Sequence, residues 1–189
     1  LLKFVRDYIQ QHHIKSFELR NLDEIPGLET DDRYATFIVQ LRKENELWSL
    51  IDKKARNQVR KAQTYNLQLE NALTLLPRFY DLYTKRMHKL GMPPHSFVFF
   101  KKLIEEFHDN CQILVATFDG KDIASSFLFS FRDGMNNLWA VWNDKYREQC
   151  PNNFIYWETL CLALEQGYTY VDLGRSPRDS NVTSFKKQW

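Results

Sequence analysis

After His108 the hydrophobic period of the chain changes from helical to alternating, and nothing else in the sequence restricts the fold as much. Three alternating runs follow at 113–118, 123–131 and 135–142. They are linked only by Asp119-Gly120 and by Arg132-Asp133-Gly134. Links this short join antiparallel neighbours, because a parallel crossover needs a dozen or more residues. The three runs therefore read as an antiparallel meander.

The elements before the meander are mostly helical. Residues 1–13 form an amphipathic helix on Leu1, Phe4, Val5, Tyr8 and Ile9. Strands are expected at 16–19 and 34–41, separated by an acidic stretch and Pro26-Gly27. A helix at 47–63 places Leu47, Ile51, Ala55, Val59 and Ala62 on one side and Lys53, Arg56 and Arg60 on another. A short strand at 67–69 precedes a helix at 76–90 built on Phe79, Tyr80, Tyr83 and Met87. Gly91 is placed to cap that helix, and Pro93-Pro94 forbids its continuation. Ser96 caps the next helix, whose inner face carries Phe97, Phe100, Leu103, Ile104 and Phe107. Beyond the meander come a polar loop at 143–153, a helix at 154–166 ended by Gly167, a strand at 168–173 and the start of a further helix. From residue 67 the order describes an α+β fold, a mixed sheet with a central meander flanked by helices. Residues 1–65 are expected to add a separate, incomplete layer.

The chain starts without a methionine and stops at Trp189, so it is expected to be a piece of a longer protein. No apolar run reaches the ~18 residues that span a bilayer, and no basic-then-apolar leader opens the chain, which makes a soluble cytoplasmic protein the expectation. Cys111, Cys150 and Cys161 lack metal or redox spacing. The five histidines form no ligand pair, so no metal is expected. The formal charge of +2 excludes a generally polyanion-coated protein and directs attention to local clusters.

Three stretches carry a family resemblance. The segment from Glu46-Leu47-Trp48 through Lys54 to Ala62 resembles the basic helix leading into the second domain of FemA/FemB/FemX-type proteins, a branch of the GNAT superfamily. Leu90-Gly91-Met92-Pro93 resembles a Leu-Gly-Thr-Pro element of FemAB-related proteins from exopolysaccharide systems. Asp172-Leu173-Gly174-Arg175-Ser176 with Phe185-Lys186-Lys187-Gln188-Trp189 resembles the Gly-Arg-Ser and Phe-Lys-x-x-Trp pair of the same group. The resemblance implies the end of one GNAT-like domain at 1–65 and a second at 66–189 lacking its last strand. It also implies an acyl- or aminoacyltransferase that forms an amide on a cell-envelope, peptidoglycan or exopolysaccharide precursor. The donor would be acyl-CoA or aminoacyl-tRNA, with no tightly bound cofactor, and the acceptor a small molecule or glycan precursor. A GNAT-like module that binds a glycan or protein without catalysis is the alternative.

The sequence also departs from that pattern. Where GNAT enzymes carry Gln/Arg-x-x-Gly-x-Gly/Ala to hold a pyrophosphate on bare amides, residues 145–153 contain no glycine. His95 and Phe99 stand where FemX-type proteins tend to carry an Arg and a Tyr for a nucleotide-sugar phosphate.

Acyl transfer to an amine needs held reactants, an oxyanion donor and a route for the amine proton. Lys186 is the first choice for a catalytic side chain; the alternative is a solvated lysine between the anchors Phe185 and Trp189. Arg175, with Ser176, follows a strand end and suits phosphate or carboxylate, or else pairs with Asp172 or Asp179. Arg175 and Lys186 are expected to face one cleft as an anion site. Arg56 and Arg60 belong to a basic stripe that either grips a polyanion such as tRNA or is simply solvated. Trp142 and Asn143 offer an aromatic wall and an amide to the acyl group, or core packing in the case of Trp142. His95, before a helix N-terminus, either takes the amine proton or is a turn residue.

Overall fold

The computed structural model describes residues 2–19 and 24–189. The chain divides into two compact units after Asp32.

In the first unit, α1 (Leu2–Gln11) is amphipathic as expected, with ring contacts from Phe4 to Tyr8 and from Tyr8 to His12. None of its residues is buried. Leu1, assigned to that helix from its spacing, lies outside the described residues. The strand expected at 16–19 does not form. Those residues are exposed and join no sheet, and a lone four-residue strand has no ladder to offset its ordering.

The second unit contains β1 (Tyr34–Gln40), α2 (Glu44–Leu50), α3 (Lys53–Gln63), β2 (Gln68–Asn71), α4 (Leu76–Lys89), α5 (Phe97–Phe107), β3 (Cys111–Phe118), β4 (Lys121–Phe131), β5 (Gly134–Trp142), α6 (Pro151–Glu165), β6 (Tyr170–Pro177) and α7 (Asn181–Lys186). The strands form one six-stranded sheet in the order β1-β6-β5-β4-β3-β2. The meander β3-β4-β5 is present as expected, and every pairing is antiparallel except β5 with β6. Residues 34–63, expected in a layer of their own, instead belong to this unit. β1 covers the outer edge of β6, and Val59 and Ala62 of α3 are buried in the same core as α6.

The two faces of the sheet carry separate cores. On one, α6 lays Ile155, Leu160 and Ala163 over Leu114, Ala124, Leu128, Met135 and Val171. On the other, α4 and α5 bury Phe79 and Phe100 against Phe127 and Val141, with Trp139 beside them. The helix expected at 47–63 is broken in two. Ile51 is extended, and Asp52 caps α3 by accepting the Lys54 N–H at 2.6 Å.

Candidate active site

The parallel pairing of β5 with β6 is short. It joins Gly134 to Tyr170, Met135 to Val171 and Asn136 to Asp172, and then stops. Beyond it the two strands separate into a fork, β5 staying on β4 and β6 on β1. The Asn143 N–H donates to Ile123 O at 2.8 Å, which fixes the phase of the strand end. Backbone groups alternate along an antiparallel strand, so the N–H groups of Trp142 and Ala140 point away from β4 and into the fork.

On the β6 side the chain bulges. The ladder with β1 slips between Thr36 and Ile38, Gly174 takes a φ of +75°, and Asp172 Oδ1 accepts the Gly174 N–H at 2.7 Å. The bulge leaves carbonyls in need of donors. Lys186, reaching back from α7, supplies them, its Nζ donating to Gly174 O at 3.0 Å and to Arg175 O at 3.4 Å. Ser180 caps α7, and Thr183 Oγ1 donates to Pro177 O at 2.7 Å, which fixes the turn that returns Lys186 to the strand. Lys186 is 7% exposed, and its ammonium lies 5.9 Å from the Phe37 ring centre. Burial holds its pKa below the ordinary lysine value, opposed by the nearby Asp172 carboxylate.

A cleft of about 870 Å³ opens at the wide end of the fork, between α3, α4, the start of α6 and α7. Four cations line it, Lys54, Arg86, Lys89 and Arg147, against one acid, Asp144. Asp144 pairs with Arg86 at 3.2 Å and with Lys89, and the Arg86 guanidinium lies 5.4 Å from the Trp142 ring centre. The hydrogen bond from Lys89 does most to hold the Asp144 carboxyl below the usual range; burial opposes it and the charge of Arg86 adds to it. The helix α6 starts at Pro151 after Cys150, which has a φ of +53°. The Phe154 N–H makes the bond back to Cys150 O, so the amides of Asn152 and Asn153 belong to the unpaired first turn at the cleft wall.

The sequence-predicted residues are dispersed. Lys186 lies at the fork but bonds to backbone. Arg175 sits 4.5 Å over the Tyr34 ring, and Tyr34 and Phe37, three apart on β1, face opposite sides of the sheet. Arg175 and Lys186 therefore lie on opposite faces, and the expected anion site between them is not formed. Ser176 is buried opposite Ala35. Arg56 donates to Trp48 O and Ser49 O, satisfying the carbonyl end of α2, and Arg60 lies 5.3 Å from the Trp48 ring centre. The basic stripe thus braces α2 instead of standing free. Trp142 lines the cleft, whereas the Asn143 side chain accepts the Lys145 N–H as a cap. The His95 ring is exposed, stacks on Phe99 at 4.5 Å and stands 6.0 Å from Trp139, on the α4/α5 side of the sheet. Arg86, Lys89 and Arg147 were not singled out by pattern, and Asp172 entered only through the motif around Arg175. The sequence signal for Arg86 and Lys89 is the run of basic residues closing α4. Among the described residues no group of His, Cys, Asp and Glu is arranged to hold a metal, and no helix is long and apolar enough to cross a membrane.

A mixed sheet whose central parallel pair forks beside a helix N-terminus defines the class of acyl-group transferases with a GNAT-like fold. Residues 51–187 match the acetyltransferase (GNAT) domain, and the chain belongs to that family. No curated protein matches its sequence. Among solved structures it resembles FemX with a TM-score of 0.76 at 16% identity, over 97% of this chain and 65% of FemX. It resembles L-PGS from Bacillus licheniformis at 0.57 and 12%, over 83% of this chain and 57% of that one. An aminoglycoside acetyltransferase from an uncultured soil metagenomic sample, in complex with sisomicin, matches at 0.53 and 16%, over 65% of this chain and 86% of that one. These likenesses are of fold, and the chain spans less than two thirds of the length of FemX.

Proposed function

We propose that this domain forms an amide by direct attack of an acceptor amine on an acyl ester or thioester, with the donor carbonyl held in the fork. The observation that carries this reading is the pair of unladdered N–H groups on Ala140 and Trp142, fixed in phase by the Asn143 bond to Ile123. Two preorganised amides facing one opening stabilise the oxyanion that develops as the carbonyl is attacked. The amine supplies the electron pair for the new C–N bond. The C–O or C–S bond breaks as the oxyanion collapses, and the leaving oxygen or sulfur takes a proton.

Asp172, at the apex of the fork and on the opposite face from the buried Val171 and Leu173, is the carboxylate placed to accept the amine proton. Its Oδ1 is committed to Gly174, which fixes the side chain. His95, on the same side of the sheet, is the second group for that step. The four cations against one acid at the cleft suit a phosphate-bearing donor, acyl-CoA or aminoacyl-tRNA. Cys150 and Pro151 replace the glycine turn, and Pro151 offers no N–H, so a pyrophosphate would rest on the side chains of Arg86, Lys89 and Arg147 more than on the backbone amides of residues 145–153. The motif resemblance to FemA/FemB/FemX-type proteins suggests a cell-envelope or exopolysaccharide precursor as acceptor.

The test is to incubate the full-length protein with acetyl-CoA and with alanyl-tRNA, each with an amine-bearing peptidoglycan precursor, and to follow amide formation by mass spectrometry. Transfer from one donor is expected; transfer from neither, with both donors intact, rejects the reading.

A further inference from the structure

Asn137 is the first residue of β5 past the apex of the fork, and its side chain is 4% exposed. Neither its Nδ2 nor its Oδ1 has a hydrogen-bond partner. Ser126 of β4 is fully buried, and its Oγ is likewise unpartnered. The ladder brings the two together. Leu128 stands opposite Asn137 and Ser126 opposite Ala140, and Ser126 and Leu128 share one face of β4. The hydroxyl and the carboxamide are thus diagonal neighbours under α6, in the core that holds Leu128 and Met135.

The neighbouring polar side chains are satisfied. Ser125 donates to Leu114 O at 2.6 Å, and Asn136 Nδ2 donates to Phe129 O at 3.2 Å. Buried polar groups are paired almost without exception, so an unpaired carboxamide beside an unpaired hydroxyl marks a place that something else completes. Its position in the fork says what that is. A donor entering from the cleft and resting its carbonyl on Ala140 and Trp142 directs its acyl tail toward the apex. Asn137 lies there, three residues from Ala140 across the register slip between β4 and β5, roughly 7–10 Å along the strand.

We propose that Ser126 and Asn137 form the terminal subsite for the transferred acyl group, and that this group is short and carries an amine or hydroxyl near its carbonyl. A carboxamide has both donors and acceptors and pairs with either substituent, whereas a plain alkyl tail leaves it unpaired. The inference rests on the placement of the donor in the fork.

Isothermal titration of the full-length protein with two matched pairs tests it: butyryl-CoA against 3-hydroxybutyryl-CoA, and 3′-butyrylamino-adenosine against 3′-alanylamino-adenosine. In at least one pair the polar member binds about tenfold tighter or more. Asn137→Leu reduces that ratio to within about twofold without weakening the alkyl member, and Ser126→Ala, a smaller change in the same site, lowers it in the same direction. Equal affinities within every pair that binds overturn the subsite and leave the donor site standing. So does a ratio unchanged in both variants. Binding by none of the four probes overturns the subsite together with the donor reading.

Discussion

Replacing Lys186 with methionine separates a catalytic lysine from one that holds the fork in shape. The methionine keeps an unbranched apolar side chain in place of the aliphatic stem and removes the ammonium that lies 5.9 Å from the Phe37 ring centre. Two hydrogen bonds are lost, one at 3.0 Å to Gly174 O and a longer one at 3.4 Å to Arg175 O. A charge-assisted bond contributes about 1.5–3 kcal/mol, and the longer one less. Against that loss, the variant no longer buries an ammonium, a cost visible in the lowered pKa of Lys186. The balance is a destabilisation of about 2 kcal/mol, or about 4–8 °C in Tm for a chain of this size. The pH dependence has a definite sign. With the folded pKa below the unfolded value, the unfolded state binds more protons between the two, so wild-type stability rises with pH from the folded value to about 10.4. The same contribution is lost as pH falls through the folded value. Lys186→Met lacks this rise. Urea melts at pH 8 and pH 10 measure both effects, and a variant as stable as wild type at both, yet without transfer activity, refutes the structural role.

Asp172→Asn retains an oxygen for the Gly174 N–H and so keeps the fold, but it lowers kcat/KM by about a hundredfold. An unchanged kcat/KM excludes Asp172 as the base. Gly134→Ala drives a Cβ into the Tyr170 ring and costs about 1–3 kcal/mol in urea melts, recovered in part by Tyr170→Ala. Burial pushes the Cys111 thiol up to about 11 and that of Cys161 to about 12, so at pH 8 iodoacetamide should alkylate Cys111 about a hundredfold and Cys161 about a thousandfold more slowly than a free thiol. Peptide mapping after timed quenching reads that rate.

The parts of the fold that depend on local pattern were legible in the sequence. The alternation after His108 and the Asp119-Gly120 turn specify the meander, and Ser96 caps α5 by accepting the Phe99 N–H at 3.2 Å. Some signals were present but outweighed. Asp52 is a good N-cap that divides an apparently continuous helical pattern, and Pro151 at the first helical position moves the start of α6 ahead of residue 154. The strand expected at 168–173 runs instead over Tyr170–Pro177, because the bulge at Gly174 lets β6 continue along β1.

The site was less legible because its parts meet only through the tertiary fold. Arg86 and Lys89 are simply polar in the α4 pattern until Asp144, more than fifty residues on, is placed beside them. Lys186 was singled out by its motif, but a lysine bonding to backbone carbonyls and one facing an anion look alike in sequence. The fork itself has no side-chain signature, being the point at which a ladder stops.

A crystal structure of the protein with a non-transferring acyl-donor analogue tests the central claim most directly. The account predicts the analogue carbonyl oxygen about 3 Å from the N–H of Ala140 or Trp142, with the acyl tail pointing to Asn137. A donor bound elsewhere, as over His95 and Phe99, or a complex in which β6 pairs with β5 up to Trp142, contradicts it.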